Sequence, residues 1–452
     1  LIFMRRKERL IVKKYISFII SFVILICMVA VSVAADDTEL YSNDGKINRI
    51  GRCTVGEDNS VSVGYGLTEL NFNVKASGVK CLISTGNGKT QAPYFAVYIN
   101  GKFSQKLEVK QGESWYTLAS GISASKVTNI RLVKTNERWM AAKITKLSVS
   151  GEVVAPTPAK SRLIEVVGDS ISAGYGILTS DNDAADDVNT DATYSYAKIL
   201  ADKMGAQVNL IANSGRGIYA NSDGSTKDAM PTLYDKLLPG VDDAAFDHST
   251  VNPDIIIVNL GTNDSFAMKE HSEITEENIT DAAKNFMVHL REVHPKAFIV
   301  WTYGLMNSNL TPALENAVSE LSAADSRICF IPLPNLSEFS DGFGKGWHPD
   351  IAANRGAADY LFDKLTEMGI IGSDTPGYMT AAADGDWEYD SSKMLGDANN
   401  DYEVNVIDLV RMKKYSADTA SVGINAENAD YNLDGKIDAQ DLVYLRKDLL
   451  KN

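Results

Sequence analysis

Three patterns predict a multidomain chain in which an α/β/α domain follows an N-terminal β-sandwich and precedes a small α-helical module. Residues 45–152 carry short alternating apolar runs broken by turn signals. Residues 160–370 alternate short apolar runs with longer amphipathic stretches, and residues 396–452 contain one acidic loop twice, each copy opening a helix. At 452 residues the chain is too long for a single core, which also points to several domains. A formal net charge of -15 excludes nucleic acid and anionic membrane surfaces as partners, because both call for basic patches. It leaves neutral ligands such as polysaccharides open.

Residues 1–35 read as an export signal. Arg5, Arg6, Lys7, Arg9, Lys13 and Lys14 form a basic head, Tyr15 to Val33 is almost wholly apolar, and Val33-Ala34-Ala35 offers small residues for cleavage. The expectation is a secreted, extracellular protein with no membrane contact after cleavage, although the apolar run is also long enough for an uncleaved anchor. Cys53, Cys81 and Cys329 remain beyond the signal. An odd, sparse set is not a disulfide framework; free buried thiols or a single Cys53–Cys81 pair both fit.

The sandwich follows from alternation in Leu70 to Val74, Tyr94 to Ile99 and Ile130 to Val133, with Asn100-Gly101 as a hairpin signal. Several short strands within about a hundred residues suggest the jelly-roll type. Such a domain serves either as a packing partner for the next one or as a carbohydrate contact. A connector stiffened by Pro156 and Pro158 follows.

Five apolar runs then predict a five-stranded parallel sheet: Arg162 to Val167, Val208 to Ala212, Ile255 to Leu260, Phe298 to Thr302 and Ile328 to Ile331. Helical patterns lie between or after them at Tyr194 to Met204, Thr275 to Glu292, Pro312 to Ala324 and Ala352 to Met368. Ligands of such sheets bind outside the carboxyl ends of the strands. There the first strand delivers Ser170 in Gly168-Asp169-Ser170-Ile171. The second delivers Gly215 in Asn213-Ser214-Gly215-Arg216-Gly217, and the third delivers Asn263 in Gly261-Thr262-Asn263-Asp264. Each is a turn residue when taken alone. Together, a serine N–H, a glycine N–H and an Asn amide form an oxyanion hole around a nucleophile. The base must be a histidine. His289 and His294 belong to a helix surface, and His248 and His271 to polar loops. His348, between the fifth strand and the last helix, is the candidate. Ser180 to Asp191 reads as a solvated acidic loop that can overhang the site.

Residues 371–395 have linker composition. Beyond them Asp397, Asn399, Asp401, Asn405 and Asp408 recur as Asp430, Asn432, Asp434, Asp438 and Asp441, with backbone carbonyls from Glu403 and Lys436 completing each set. Oxygen donors at this spacing suit Ca²⁺, so two structural ions are expected and none for catalysis. Tyr402 stands where the sharp turn favours glycine, which makes the first loop weaker or locally rearranged, whereas Gly435 fills that place in the second.

The duplicated module resembles a type I dockerin, which implies docking onto the cohesin of a cellulosome scaffold, with Val406-Ile407 and Ala439-Gln440 at the partner-choosing positions. Ser170, Gly215, Asn263 and His348 match the marker positions of the SGNH (GDSL-like) hydrolases. Together with Tyr94 to Tyr98, Arg131 to Thr135 and Gly174-Tyr175-Gly176, they make residues 45–370 resemble carbohydrate esterase family two. That resemblance implies removal of acetyl groups from acetylxylan or acetylglucomannan, with acetylated hemicellulose or cellulose as the bound polymer. It also implies a sugar-stacking role for Trp347, whose bland alternative is core packing, and weaker ones for Tyr175 and Tyr303. One position departs from the pattern. Lys345 stands where SGNH enzymes carry the triad Asp, and Asp350 is best placed as a helix N-cap. A backbone carbonyl orienting His348, hence a Ser–His dyad, is the expectation. Competing readings are a lipase or thioesterase of the same superfamily, and a non-catalytic polysaccharide-binding component.

Overall fold

The computed structural model describes residues 37–86, 91–371 and, further on, 396, 398, 404–417, 424, 426–429, 431 and 437–450. The export signal and most of the linker lie outside the described residues.

Strands from Thr38 to Val154 pair antiparallel in one ten-stranded sheet. Its spine is the strand Glu69–Thr85. The first half pairs with Thr128–Lys134, the second with Gly112–Ser120, and Ala142–Val154 runs along the opposite edge. Alternation along it turns Leu70, Phe72, Val74 and Ala76 onto Phe95, Val97, Ile130 and Leu132, a fully buried apolar interior. Tyr94–Ile99 and Lys102–Glu108 are joined at Asn100 and Gly101, whose φ values of 54° and 75° make the tight turn expected of that dipeptide. Cys53, Cys81 and Cys329 are free thiols.

The second domain is a parallel sheet of five strands, Leu163–Gly168, Gln207–Ala212, Ile255–Asn259, Phe298–Leu305 and Ile328–Asn335, in the order second, first, third, fourth, fifth. The first strand therefore lies between the second and third. Helices Tyr196–Lys203 and Ile351–Glu367 cover one face through Leu200, Ala357 and Leu361, and Glu276–Val293 and Thr311–Ser322 cover the other through Phe286, Leu290 and Leu314. The sequence pattern misses the helix Thr262–Glu270, whose apolar residues form no stripe, and the hairpin Lys236–Leu238 with Asp242–Ala245.

Two expectations are corrected here. Tyr303 lies on the fourth strand, packed on both faces, and is fully buried in the core rather than open to a sugar. His294 is not on the surface: it is 3% exposed and bonds the Tyr234 hydroxyl at 2.9 Å.

In the last module, helices Val406–Ala417 and Ala439–Leu449 bury Met412 and Leu445 with Ala398 and Ala429. The repeat persists in its contacts. Asp408 accepts from the Asn405 N–H at 2.9 Å and Asp441 from the Asp438 N–H at 2.8 Å, and both carboxylates are buried. The other eight positions expected to bind calcium, Asp397, Asn399, Asp401, Glu403, Asp430, Asn432, Asp434 and Lys436, lie outside the described residues. Among the described residues, no helix is long and apolar enough to cross a membrane.

Gly168 closes the first strand, and a Cβ there would meet Ser172 Oγ at 2.1 Å. Gly168→Ala is therefore expected to cost about 1–3 kcal/mol in urea unfolding and to displace the turn that carries Ser170.

Candidate active site

Ser170 is the first residue of a one-turn helix, Ser170–Ala173. Asp169 caps it by accepting from the Ile171 N–H at 2.9 Å, and Ser172 Oγ meets the buried Tyr196 hydroxyl at 2.7 Å. The helix stops at Gly174, where φ is 68° and a side chain would strike the Asp191 carbonyl. These contacts fix Ser170 at the end of the first strand, and its Oγ lies 2.8 Å from His348 Nε2.

The imidazole is held from its other side. His348 Nδ1 lies 2.9 Å from the Lys345 carbonyl oxygen, which assigns the Nδ1–H tautomer and leaves Nε2 to face the serine. The loop reaches that shape through Gly346 and Trp347 in succession at φ 63° and 64°, the second a costly conformation for a bulky residue. Burial lowers the His348 pKa, opposed by hydrogen bonds to the carbonyls of Lys345 and Gly346. Asp350 takes no part in this. It caps the next helix, accepting from the Ala353 N–H at 2.8 Å and from Ser340 Oγ at 2.7 Å.

Gly215 follows the second strand at φ 77°. Among the described residues, neither its N–H nor that of Ser170 meets a hydrogen-bond acceptor. Asn263, early in the helix that follows the third strand, donates to the Arg216 carbonyl at 2.9 Å and to Asp169 at 3.2 Å. The neighbouring Asp264 accepts from the N–H groups of Ile218, Tyr219 and Ala220 at 2.9, 2.8 and 2.9 Å. Asn263 and Asp264 together hold the loop that presents Gly215.

Glu137 escapes sequence reasoning. It comes from the end of the N-terminal sheet, is 2% exposed, and accepts from the hydroxyl and N–H of Ser214, the residue before Gly215. Burial pushes its carboxyl up to about 7 against the pull of those bonds. Asp169 also rises to about 7, through burial and the nearby Asp264 and Glu137 carboxylates. In the sequence, Asn136-Glu137-Arg138 looks like any polar turn after a strand, and nothing local points across the domain boundary.

The acidic loop is not merely solvated. Lys345 Nζ bonds Asp186 and the Ala184 carbonyl, both at 2.6 Å, and the Gly346 N–H donates to Asn182 at 2.9 Å. Tyr175 donates to Asp186 at 2.9 Å and sets its ring edge-on to His348, centroids 4.9 Å apart. Trp347 is 65% exposed against Phe343, at 4.2 Å between centroids, so it does not serve as core packing.

Asp235, His248 and His289 form a cluster of potential metal donors among the described residues, lying within 4.8 Å of one another. The fit to an ion is poor. Both Nε2 atoms already bond Asp235, at 3.0 and 2.7 Å. Freeing both lone pairs would put the proton of His248 on Nδ1, which is buried without an acceptor. The Arg52 guanidinium, 3.8 Å from the Phe246 ring centroid and 4.8 Å from that of Tyr234, adds positive charge nearby.

A carboxyl whose pKa rises on folding destabilises the folded state as pH climbs from its ordinary value, 4.5 here, through its folded value of about 7. Glu137→Gln removes that loss. Urea denaturation is expected to show the variant gaining on the parent protein over this interval, by on the order of 3 kcal/mol at its upper end.

Residues 164–361 match the family GDSL-like Lipase/Acylhydrolase, and residues 395–450 match the Dockerin type I domain. An acetylxylan esterase / glucomannan deacetylase of Cellvibrio japonicus is 28% identical over 312 residues, which is 66% of this chain and 83% of that protein. The cellulase/esterase CelE of Acetivibrio thermocellus is 27% identical over 344 residues, or 72% of this chain, but the match spans only 40% of that larger protein. Among solved structures, the acetyl xylan esterase Est2A of Butyrivibrio proteoclasticus superposes with a TM-score of 0.67 at 24% identity, covering 75% of this chain and all of its own. A family two carbohydrate esterase of Clostridium thermocellum, solved with cellohexaose, gives 0.66 at 24% identity, over 72% of this chain and all of its own. Both likenesses extend the shared fold through the N-terminal sheet. The chain therefore joins a stretch that matches the GDSL-like lipase/acylhydrolase family to one that matches the type I dockerin domain.

Proposed function

We propose that this protein is a secreted, cellulosome-borne esterase that removes acetyl groups from plant cell-wall polysaccharides such as acetylxylan and acetylglucomannan. The observation that carries the reading is the 2.8 Å contact between Ser170 Oγ and His348 Nε2, beside two N–H groups that meet no acceptor among the described residues.

In this mechanism His348 takes the hydroxyl proton as Ser170 attacks the acetyl carbonyl, and the imidazolium that forms is steadied by the Lys345 carbonyl. The oxyanion is received by the N–H groups of Ser170 and Gly215. It is also received by the Asn263 amide, whose longer bond, to Asp169, is the one that yields. The sugar hydroxyl leaves with the proton from His348. Water, activated by the same base, then frees acetate from the acetyl-serine. Trp347, exposed beside the dyad, offers a flat apolar face to a sugar ring, with Tyr175 next to it. The N-terminal sheet, of jelly-roll type, buttresses this cleft. The dockerin holds two Ca²⁺ in its repeated loops and docks onto a cohesin through a surface that includes the exposed Val406 and Ile407.

Acetate release from acetylated xylan and glucomannan tests the reading. Ser170→Ala and His348→Ala are each expected to lower kcat by about 10³-fold or more. Asp350→Ala should leave kcat within about threefold while costing about 1 kcal/mol as a lost helix cap. Equal losses in the Asp350 and His348 variants would restore a triad. Chelation of calcium is expected to abolish capture by an immobilised type I cohesin and to leave acetate release unchanged.

A further inference from the structure

We infer that Asp186 is the positioning residue of this site, doing through Lys345 and Tyr175 what a carboxylate bonded directly to the imidazole does in a three-residue site. The inference rests on the Ser170–His348 reading above.

The partner of His348 Nδ1 is a peptide oxygen, and a peptide oxygen orients a ring only as well as its loop is held. This loop is poorly placed to hold itself, with two consecutive residues at positive φ. One carboxylate oxygen adds a side-chain constraint to the backbone bonds of the loop. Asp186 Oδ1 accepts from Lys345 Nζ at 2.6 Å, fixing the residue whose carbonyl faces Nδ1. The same oxygen accepts from the Tyr175 hydroxyl at 2.9 Å, fixing the ring that packs edge-on against the imidazole. The Lys345 and Tyr175 contacts of the imidazole thus lead back to a single atom.

Asp186 is itself anchored. Its neighbour Asp187 accepts from the Ala92 N–H at 2.8 Å and from Asn136 Nδ2 through its carbonyl at 3.0 Å, while Lys106 bonds Val188 and Asp191, each at 2.8 Å. Asn136, Ala92 and Lys106 all belong to the N-terminal domain. The Asp186–Lys345 pair is partly exposed, with side chains 31% and 14% accessible, so its weight in global stability is small. Its effect falls on the position of the base.

Steady-state hydrolysis of 4-nitrophenyl acetate by the full chain tests this with Asp186→Ala, Asp186→Glu and Lys345→Met, the last keeping the peptide carbonyl while removing the ammonium. Asp186→Ala and Lys345→Met are each expected to lower kcat about tenfold with KM within about twofold, and the double variant to fall no further than the worse single. Asp186→Glu should recover part of the loss, with all melting temperatures within about 2 °C of the parent. Adding Asp186→Ala to His348→Ala should cost nothing more, because the effect passes through the histidine. Unchanged kcat in Asp186→Ala, a rise in KM alone, or losses that multiply in the double variant would each overturn the inference. Equal activity of the parent and Ser170→Ala would instead defeat the Ser–His reading and this inference with it.

Discussion

The hydrogen bond between His348 Nδ1 and the Lys345 carbonyl is the contact on which the rest of the site depends. A carboxylate in that place would hold the ring by charge and tolerate some slack. A neutral oxygen has only position to offer, so the surrounding backbone must supply it. The Gly344 N–H closes the loop on the His348 carbonyl at 2.7 Å, and the Lys345 N–H ties it to the Gly176 carbonyl at 3.0 Å. Gly176 is required there, since a Cβ would lie 2.4 Å from that of Lys345. The glycines after Ser170 therefore let the loop of His348 approach the loop of Ser170.

Strand order does the corresponding work for the residues of the proposed oxyanion hole. Because the first strand lies between the second and third, Ser170, Gly215 and Asn263 leave adjacent strand ends. Three carboxyl groups, Asp169, Asp264 and Glu137, are buried beneath this point, and negative charge developing above them would be opposed if all were ionised and unpaired. Asp264 has its charge spread over three N–H groups, and Asp169 and Glu137 have pKa values raised by burial to about 7. Burial thus weakens the negative charge that Asp169 and Glu137 would otherwise place under the site.

Sequence reasoning reaches the parts of this arrangement that are local. Ser170, Gly215 and Asn263 each sit in a short signal just after a strand, His348 is the histidine between the fifth strand and the last helix, and the C-terminal loops stand out because their acidic pattern occurs twice. Asp186 and Glu137 cannot be found in this way. Their partners are 159 and 77 residues away, and an aspartate in an acidic loop or a glutamate after a strand has no local feature that distinguishes it. Tyr303 fails for the opposite reason: its residue type suits sugar contact, but its place on a strand paired on both sides commits it to the core. His294 is similar, since the helix pattern shows where the helix ends but not that Tyr234 waits there.

The polar seam between the first two domains has a consequence for how such proteins can be rearranged. Arg52 and Arg138 reach from the N-terminal sheet to backbone carbonyls of Tyr234, Lys236 and Pro239, and Glu137 and Asn136 reach to Ser214 and Asp187. Each donor or acceptor would be stranded if its domain were joined to an unrelated neighbour. Residues 38 to 371 therefore behave as one cassette in gene shuffling, a sheet and a hydrolase that must travel together.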